Sequence, residues 1–166
     1  MQLGVVSDTH DNLDLVEAAV EFFEDEGVEA VIHCGDAVAP FSVGPFDSSF
    51  DFYYVRGNND GEWALRSTVE SFGTYLGQCG ALDFGGVSVA AYHGTNAVLR
   101  NALADCGDYD YVLHGHTHER AVEKRGETIR VNPGGLPIPD ADDAFHVATI
   151  DTERAGTDAV THRRLG

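Results

Sequence analysis

Five apolar runs in this chain each stop at a polar cluster of one chemical character. Residues 3–7 end at Asp8-Thr9-His10, residues 30–34 at Gly35-Asp36, and residues 51–56 at Gly57-Asn58-Asn59-Asp60. Residues 87–92 end at His93-Gly94, and residues 109–113 at His114-Gly115-His116-Thr117-His118. Short apolar runs bounded by glycine and polar residues read as buried strands. Between the first two, Leu13, Val16, Ala19, Val20 and Phe23 recur at helical spacing over residues 13–26. Asn12 or Asp11 can cap that helix, and Gly27 stops it. The alternation predicts an α/β sheet, in which ligands bind beyond the carboxyl ends of the strands. The five clusters are therefore expected to meet at one edge.

The rest of the chain supplies the remaining elements. Residues 38–49, with Pro40 and Pro45, predict a loop with a short helix, and residues 62–72 a helix. Residues 81–92 form a hairpin about Gly85-Gly86. Asn96 starts a helix with Val98, Leu99, Ala102 and Leu103 on one face, ending near Gly107. A second hairpin turns at Arg125-Gly126, Asn132-Pro133-Gly134-Gly135 is a turn, and residues 145–150 and 157–164 are the last strands. With no linker or internal repeat, the 166 residues are expected to form one domain spanning 1–166.

Composition narrows the setting. Hydrophobic residues make up 43% of the chain, which excludes a disordered polymer. No run approaches the roughly 20 apolar residues of a membrane span. The start lacks the basic region of a signal peptide. Cys34, Cys79 and Cys106 are odd in number and far apart, as expected for reduced thiols in the cytoplasm. The formal charge is −18, and Lys124 is the only lysine. Many acids fall where surface is expected, as in Glu21, Glu24, Asp25 and Glu26, or in Asp140, Asp142 and Asp143. That self-repulsion is relieved by screening, so a salt-adapted, halophile-like protein is expected. Nothing resembles the basic stripe of a nucleic-acid binder.

The clusters themselves offer Asp8, His10, Asp36, Asn58, His93, His116 and His118. Alone, Asp8 or Asn58 reads as a helix cap or turn residue, and His93 as an ordinary strand-end histidine. Together they are carboxylate, imidazole and amide with no thiolate, a set suited to manganese, iron, nickel or zinc. Seven side chains exceed what one ion with an open position can use. Two divalent ions sharing a carboxylate would use them, with Asp36 the natural bridge and a hydroxide between the ions. Such ions clamp the oxygens of a phosphoryl group during in-line displacement. His33 and His114 share a face with Gly35 and His116 by strand alternation, so they read as supporting or core histidines. Cys34 faces the other way, into the core.

The order D-x-H, G-D, G-N, H, G-H-x-H resembles the calcineurin-like metallophosphoesterase superfamily. Ser7-Asp8-Thr9-His10-Asp11-Asn12, Arg56-Gly57-Asn58-Asn59-Asp60 and Asn132-Pro133-Gly134 resemble its small single-domain phosphodiesterase branch of bacteria and archaea. The resemblance implies a four-layer α/β/β/α sandwich with two mixed sheets flanked by helices. It implies one ion on Asp8, His10, Asp36 and His118 and another on Asp36, Asn58, His93 and His116, with catalysis resting on Asp36, Asn58 and His93. A small phosphoester substrate follows, with manganese the first expectation and nickel, iron or zinc also compatible. A homodimer is compatible with these features and not required by them.

Three positions depart from the pattern. Asn59 stands where much of the superfamily has a histidine taken to protonate the leaving group. An amide has no titratable proton near neutral pH, so the acid is unnamed. Thr95 replaces a second histidine after His93, which removes a candidate substrate contact or proton donor. Gly135 replaces a common serine, a change expected to affect the turn alone. The competing class is a protein-interaction scaffold like the phosphoesterase-like subunit of the retromer coat; a scaffold can lose ligands, whereas all seven positions here are chemically competent. A nuclease would want a basic surface. Substrate choice is expected to lie in residues 38–46, 61–72 and 137–144.

Overall fold

In the computed structural model, residues 1–139 and 141–166 are described. The expectation of a surface acid at Asp140 lies outside them. The chain begins with β1 (Gln2–Val6), α1 (Leu13–Asp25), β2 (Ala30–His33), β3 (Asp51–Val55), α2 (Trp63–Glu70) and β4 (Thr74–Gly77). There follow β5 (Cys79–Phe84), β6 (Val87–Tyr92), α3 (Ala97–Asp105), β7 (Tyr111–Leu113), β8 (Ala121–Arg125), β9 (Thr128–Asn132), β10 (His146–Asp151) and β11 (Val160–Arg164). One sheet has six strands in the order β11-β10-β1-β2-β3-β4, the other five in the order β5-β6-β7-β9-β8.

Both sheets are mixed. Strands β1, β2, β3 and β4 run parallel, as do β6, β7 and β9, while β10, β11, β5 and β8 pair antiparallel. The parallel strands explain the near-continuous apolar runs read from the sequence, because they are covered on both faces. Leu3, Val5 and Ile32 of the first sheet meet Val89, Leu113 and Val131 of the second in a shared core. The outer face of the first sheet carries Val31, Phe52 and Tyr54 against Val16, Val20 and Phe23 of α1 and Leu65 and Val69 of α2. Helix α3 covers the second sheet over β7 and β9. The result is the expected α/β/β/α layering.

Asn12 caps α1, its Oδ1 accepting the Leu15 N–H at 3.2 Å. Asn96 caps α3 in the same way from Val98 and Leu99. Helix α3 departs from the sequence pattern. Its apolar stripe is turned outward, with Val98 76% and Leu99 55% exposed. Arg100 and Asn101 lie half-buried and Ala104 buried beneath. The surface under the helix is polar: Arg130 on β9 pairs with Glu123 on β8 and donates to Asn101 Oδ1 at 3.3 Å. That surface recruits the polar side of α3. Strand β4 is also unforeseen. It is four residues long and joins β5 through Gln78 alone, where the chain crosses between sheets. Residues 38–49 contain two single turns of 3-10 helix, Pro40–Ser42 and Gly44–Phe46. No helix among the described residues is long and apolar enough to cross a membrane.

Candidate metal centre

The five clusters do converge. Asp8 N donates to the Gly35 carbonyl at 2.9 Å and His10 N to that of Asp36 at 3.1 Å. The second sheet joins through Gly115 N to the His93 carbonyl, 2.9 Å, and His116 N to Asp8 Oδ2, 2.9 Å. Asp8, His10, Asp36, His116 and His118 all have φ between 44° and 69°. Together with Asp11 and Val38 they are all the non-glycine residues of positive φ among the described residues. Left-handed backbone at such residues costs energy and clusters at functional sites.

Asp8 is fully buried. Its Oδ2 accepts from Ser7 Oγ at 2.6 Å and His116 N at 2.9 Å. Its Oδ1 has no hydrogen-bond partner, and neither does His10 Nε2. Around that oxygen stand His118 Nε2 at 3.5 Å, His10 Nε2 at 3.9 Å and His93 Nε2 at 4.0 Å. Burial raises the Asp8 carboxyl above its usual range even with His93, Ser7, His118 and His116 favouring its ionised form. An ionised carboxylate there calls for a cation.

Two imidazoles are oriented from behind. His93 Nδ1 lies 2.7 Å from the Cys34 carbonyl, and His118 Nδ1 2.6 Å from that of Leu136. A carbonyl can only accept, so both Nδ1 atoms carry the proton and donate it. In the neutral rings each Nε2 then presents a lone pair inward. His93 Nε2 faces Asn58 Oδ1 at 3.0 Å and Asp36 Oδ2 at 3.4 Å. His116 Nδ1 faces the same Asn58 oxygen at 2.9 Å. Acceptors converging on acceptors, with Asp8 Oδ1 and His10 Nε2 unpartnered beside them, are what metal ligands look like without their ion. The residues fit divalent cations.

Two three-residue groups bring donor atoms within 4.8 Å of one another: Asp8, His10 and His118, and Asp8, Asp36 and His93. They share Asp8. Asp36 Oδ2 in turn lies between His10 Nε2, 3.8 Å, and His93 Nε2, 3.4 Å. All seven sequence candidates are thus brought together. His33 and His114 stand behind. His33 Nδ1 accepts the Gly35 N–H at 3.1 Å, and its Nε2 meets Thr9 Oγ1 at 3.2 Å. His114 Nδ1 donates to the Gly115 carbonyl at 3.1 Å. Cys34 is core, as expected, and burial pushes its thiol far up.

Sequence reasoning missed two supports. Asp60 is buried, and its carboxylate accepts from Asp36 N, Val38 N, Gly57 N and the Tyr54 hydroxyl. Asn132 donates to the Gly115 carbonyl and to Thr117 Oγ1, tying the closing Asn-Pro-Gly turn to the histidine loop. Asn59 holds Asp36, its backbone N–H at 2.8 Å on one oxygen and its amide at 2.7 Å on the other. Gly135 is more than a turn residue, contrary to expectation. A Cβ there would lie 2.6 Å from Asp8 Cβ, and one at Gly115 would collide with Ser7 and Asp8. Serine at 135 would push on a candidate ligand.

Residues 1–155 match the calcineurin-like phosphoesterase superfamily domain. The chain belongs to that superfamily. It is 34% identical over 168 residues to a phosphodiesterase of Methanocaldococcus jannaschii, covering 93% of this chain and 95% of that one. A solved archaeal phosphodiesterase superposes with a TM-score of 0.90 at 30% identity, covering 99% of this chain and all of that one. A Vps29 variant of Entamoeba histolytica superposes with a TM-score of 0.71 at 14% identity, over 99% and 98% of the two chains. At that identity the likeness concerns the fold. This calcineurin-like phosphoesterase therefore has phosphoester hydrolysis as its family chemistry, with an Asp/His cluster able to bind metal.

Proposed function

We propose that this chain is a phosphodiesterase working with two divalent ions. One is held by Asp8, His10, Asp36 and His118, the other by Asp36, Asn58, His93 and His116. The observation that carries this reading is the unpartnered Asp8 Oδ1 ringed by three imidazole nitrogens. Bound divalent ions would supply an acidified water as nucleophile and positive charge on the phosphoryl oxygens. The chain's own residues keep the geometry. Asn59 aims Asp36, the Cys34 and Leu136 carbonyls fix the tautomers of His93 and His118, and Asn58 offers a neutral oxygen to the second position.

Manganese is the first choice for these borderline donors, with nickel, iron or zinc also accommodated. Similarity to the M. jannaschii phosphodiesterase supports a diester. With Asn59 and Thr95 in place of imidazoles, the reading favours small diesters with good leaving groups. The charge of −18 argues against a nucleic-acid polymer, and the unpaired cysteines support a cytoplasmic setting. The scaffold alternative draws only weak support from the Vps29 likeness, which at 14% identity concerns the fold.

The test is metal analysis paired with hydrolysis of bis(p-nitrophenyl) phosphate. Purified protein should carry close to two divalent ions per chain; one or none rejects the dinuclear reading. Asp36→Asn should cut the rate by more than roughly the 100-fold seen for groups that merely support ligands. Substantial residual activity in a folded Asp36→Asn protein removes Asp36 from the shared position.

A further inference from the structure

The chain has one tryptophan, Trp63, and it is 86% exposed. At the first position of α2 its large flat ring stands in water, free to meet a ligand. It lines a cavity of about 410 Å³ together with Arg56, Glu62, Arg66, Tyr75 and Gln78. The Arg66 guanidinium lies 5.8 Å over the Tyr75 ring, and its Nε is held by Glu70 at 2.9 Å. Tyr75 in turn stacks on Tyr54 at 5.9 Å with 16° between the planes. The lining therefore offers two flat surfaces, an indole and a braced arginine–tyrosine pair. Gln78 adds an amide that both donates and accepts, and Glu62 an acceptor.

This cavity adjoins the metal centre. Arg56 and Gln78 also line a neighbouring cavity of about 310 Å³, which reaches Asn58 and is bordered by Thr95 and Asn96. Asn58 is a candidate ligand of the second ion, so the second cavity touches the proposed metal centre and the first joins it through Arg56 and Gln78. Flat surfaces with hydrogen-bonding edges suit a planar nitrogen heterocycle. A bare anion would find Arg66 already paired with Glu70 and Glu62 close by.

We propose that the two cavities take the nucleoside arm of a small phosphodiester. The base lies against Trp63 and the Arg66–Tyr75 pair, and the sugar passes Arg56 and Gln78 toward Asn58. The assignment rests on the phosphodiesterase reading and names its substrate class.

The experiment compares manganese-loaded enzyme on thymidine 5′-(p-nitrophenyl phosphate) and methyl p-nitrophenyl phosphate, which share a leaving group. In parallel, thymidine 5′-monophosphate is titrated against the fluorescence of Trp63, the sole indole. The nucleoside diester should be preferred in kcat/KM by about tenfold, the usual worth of one stacked base. Trp63→Ala should collapse that ratio, Trp63→Phe should keep much of it, and the nucleotide should quench the fluorescence saturably. A wild-type ratio near one without quenching overturns the proposal, as does a preference that Trp63→Ala leaves intact. If neither diester is cleaved while quenching stays saturable, the phosphodiesterase reading fails and the ring site stands.

Discussion

The Tyr54 hydroxyl donates to the Asp60 carboxylate at 2.6 Å, directly behind the candidate metal centre. The same Asp60 oxygen accepts Gly57 N at 2.7 Å and Asp36 N at 3.1 Å, while its other oxygen accepts Val38 N at 2.9 Å. One buried carboxylate thus fastens the loops after β2 and β3 to each other. Asp60→Asn turns an acceptor into a donor facing amides that need an acceptor. It should destabilise the fold by on the order of 3 kcal/mol. Metal affinity, read by chelator competition, should fall roughly 10- to 100-fold. Unchanged affinity would show that the loops hold their register without it.

Asn59 should act through orientation rather than proton transfer. Asn59→Ala removes the 2.7 Å bond to Asp36 and leaves the 2.8 Å backbone bond in place. The loss in kcat should therefore sit near the lower end of the supporting-residue range, about tenfold. The pH–rate profile should keep both limbs, because an amide does not titrate. A vanished acidic or basic limb in Asn59→Ala would contradict this role.

The acidic surface predicts a salt response. Glu21, Glu24, Asp25 and Glu26 are all exposed on or beside α1. The Debye length contracts from about 10 Å at 0.1 M to about 3 Å at 1 M. The melting temperature should therefore climb steeply between 0.1 and 2 M potassium chloride. A flat profile would separate the composition from any adaptation to salt.

Acid should weaken the metal-free protein earlier than carboxylates alone require. Burial pushes the His33 imidazole well below its ordinary 6.5, with the nearby Asp60 only partly offsetting it. The unfolded chain titrates near the ordinary value, so below about pH 6.5 it binds a proton that the folded chain refuses. Stability is full above that pH and is lost as the pH falls through it. The urea midpoint should drop between pH 7.5 and 5.5, less steeply in His33→Asn. Equal slopes in the two proteins would place the titration elsewhere.

Much of this architecture was legible because its strands are short apolar runs with abrupt polar ends, and a buried parallel strand writes itself that way. Asp8, Asp36, Asn58, His93 and His116, which the fold brings together, each lie just past the end of such a run. Asp60 stands in plain view within Gly57-Asn58-Asn59-Asp60, yet nothing in the sequence gives it a role of its own. Its partners, Tyr54 apart, are backbone amides, including one 24 residues away, and no spacing rule reaches them. The α3 stripe misled for a related reason. Periodicity says which residues share a face, but Arg130 and Glu123 beneath decide which face turns inward. Strand β4 offered four residues at a sheet edge, too few to carry a pattern.

The tautomers of His93 and His118 are set by the carbonyls of Cys34 and Leu136. Every amino acid brings that same oxygen. Substitution at either position can disturb packing but cannot delete the acceptor. The proton placement on which metal capture depends is therefore written into the path of the main chain, where point mutation has no direct purchase. Descendants of this sequence are free to drift at positions 34 and 136 so long as the loops keep their course.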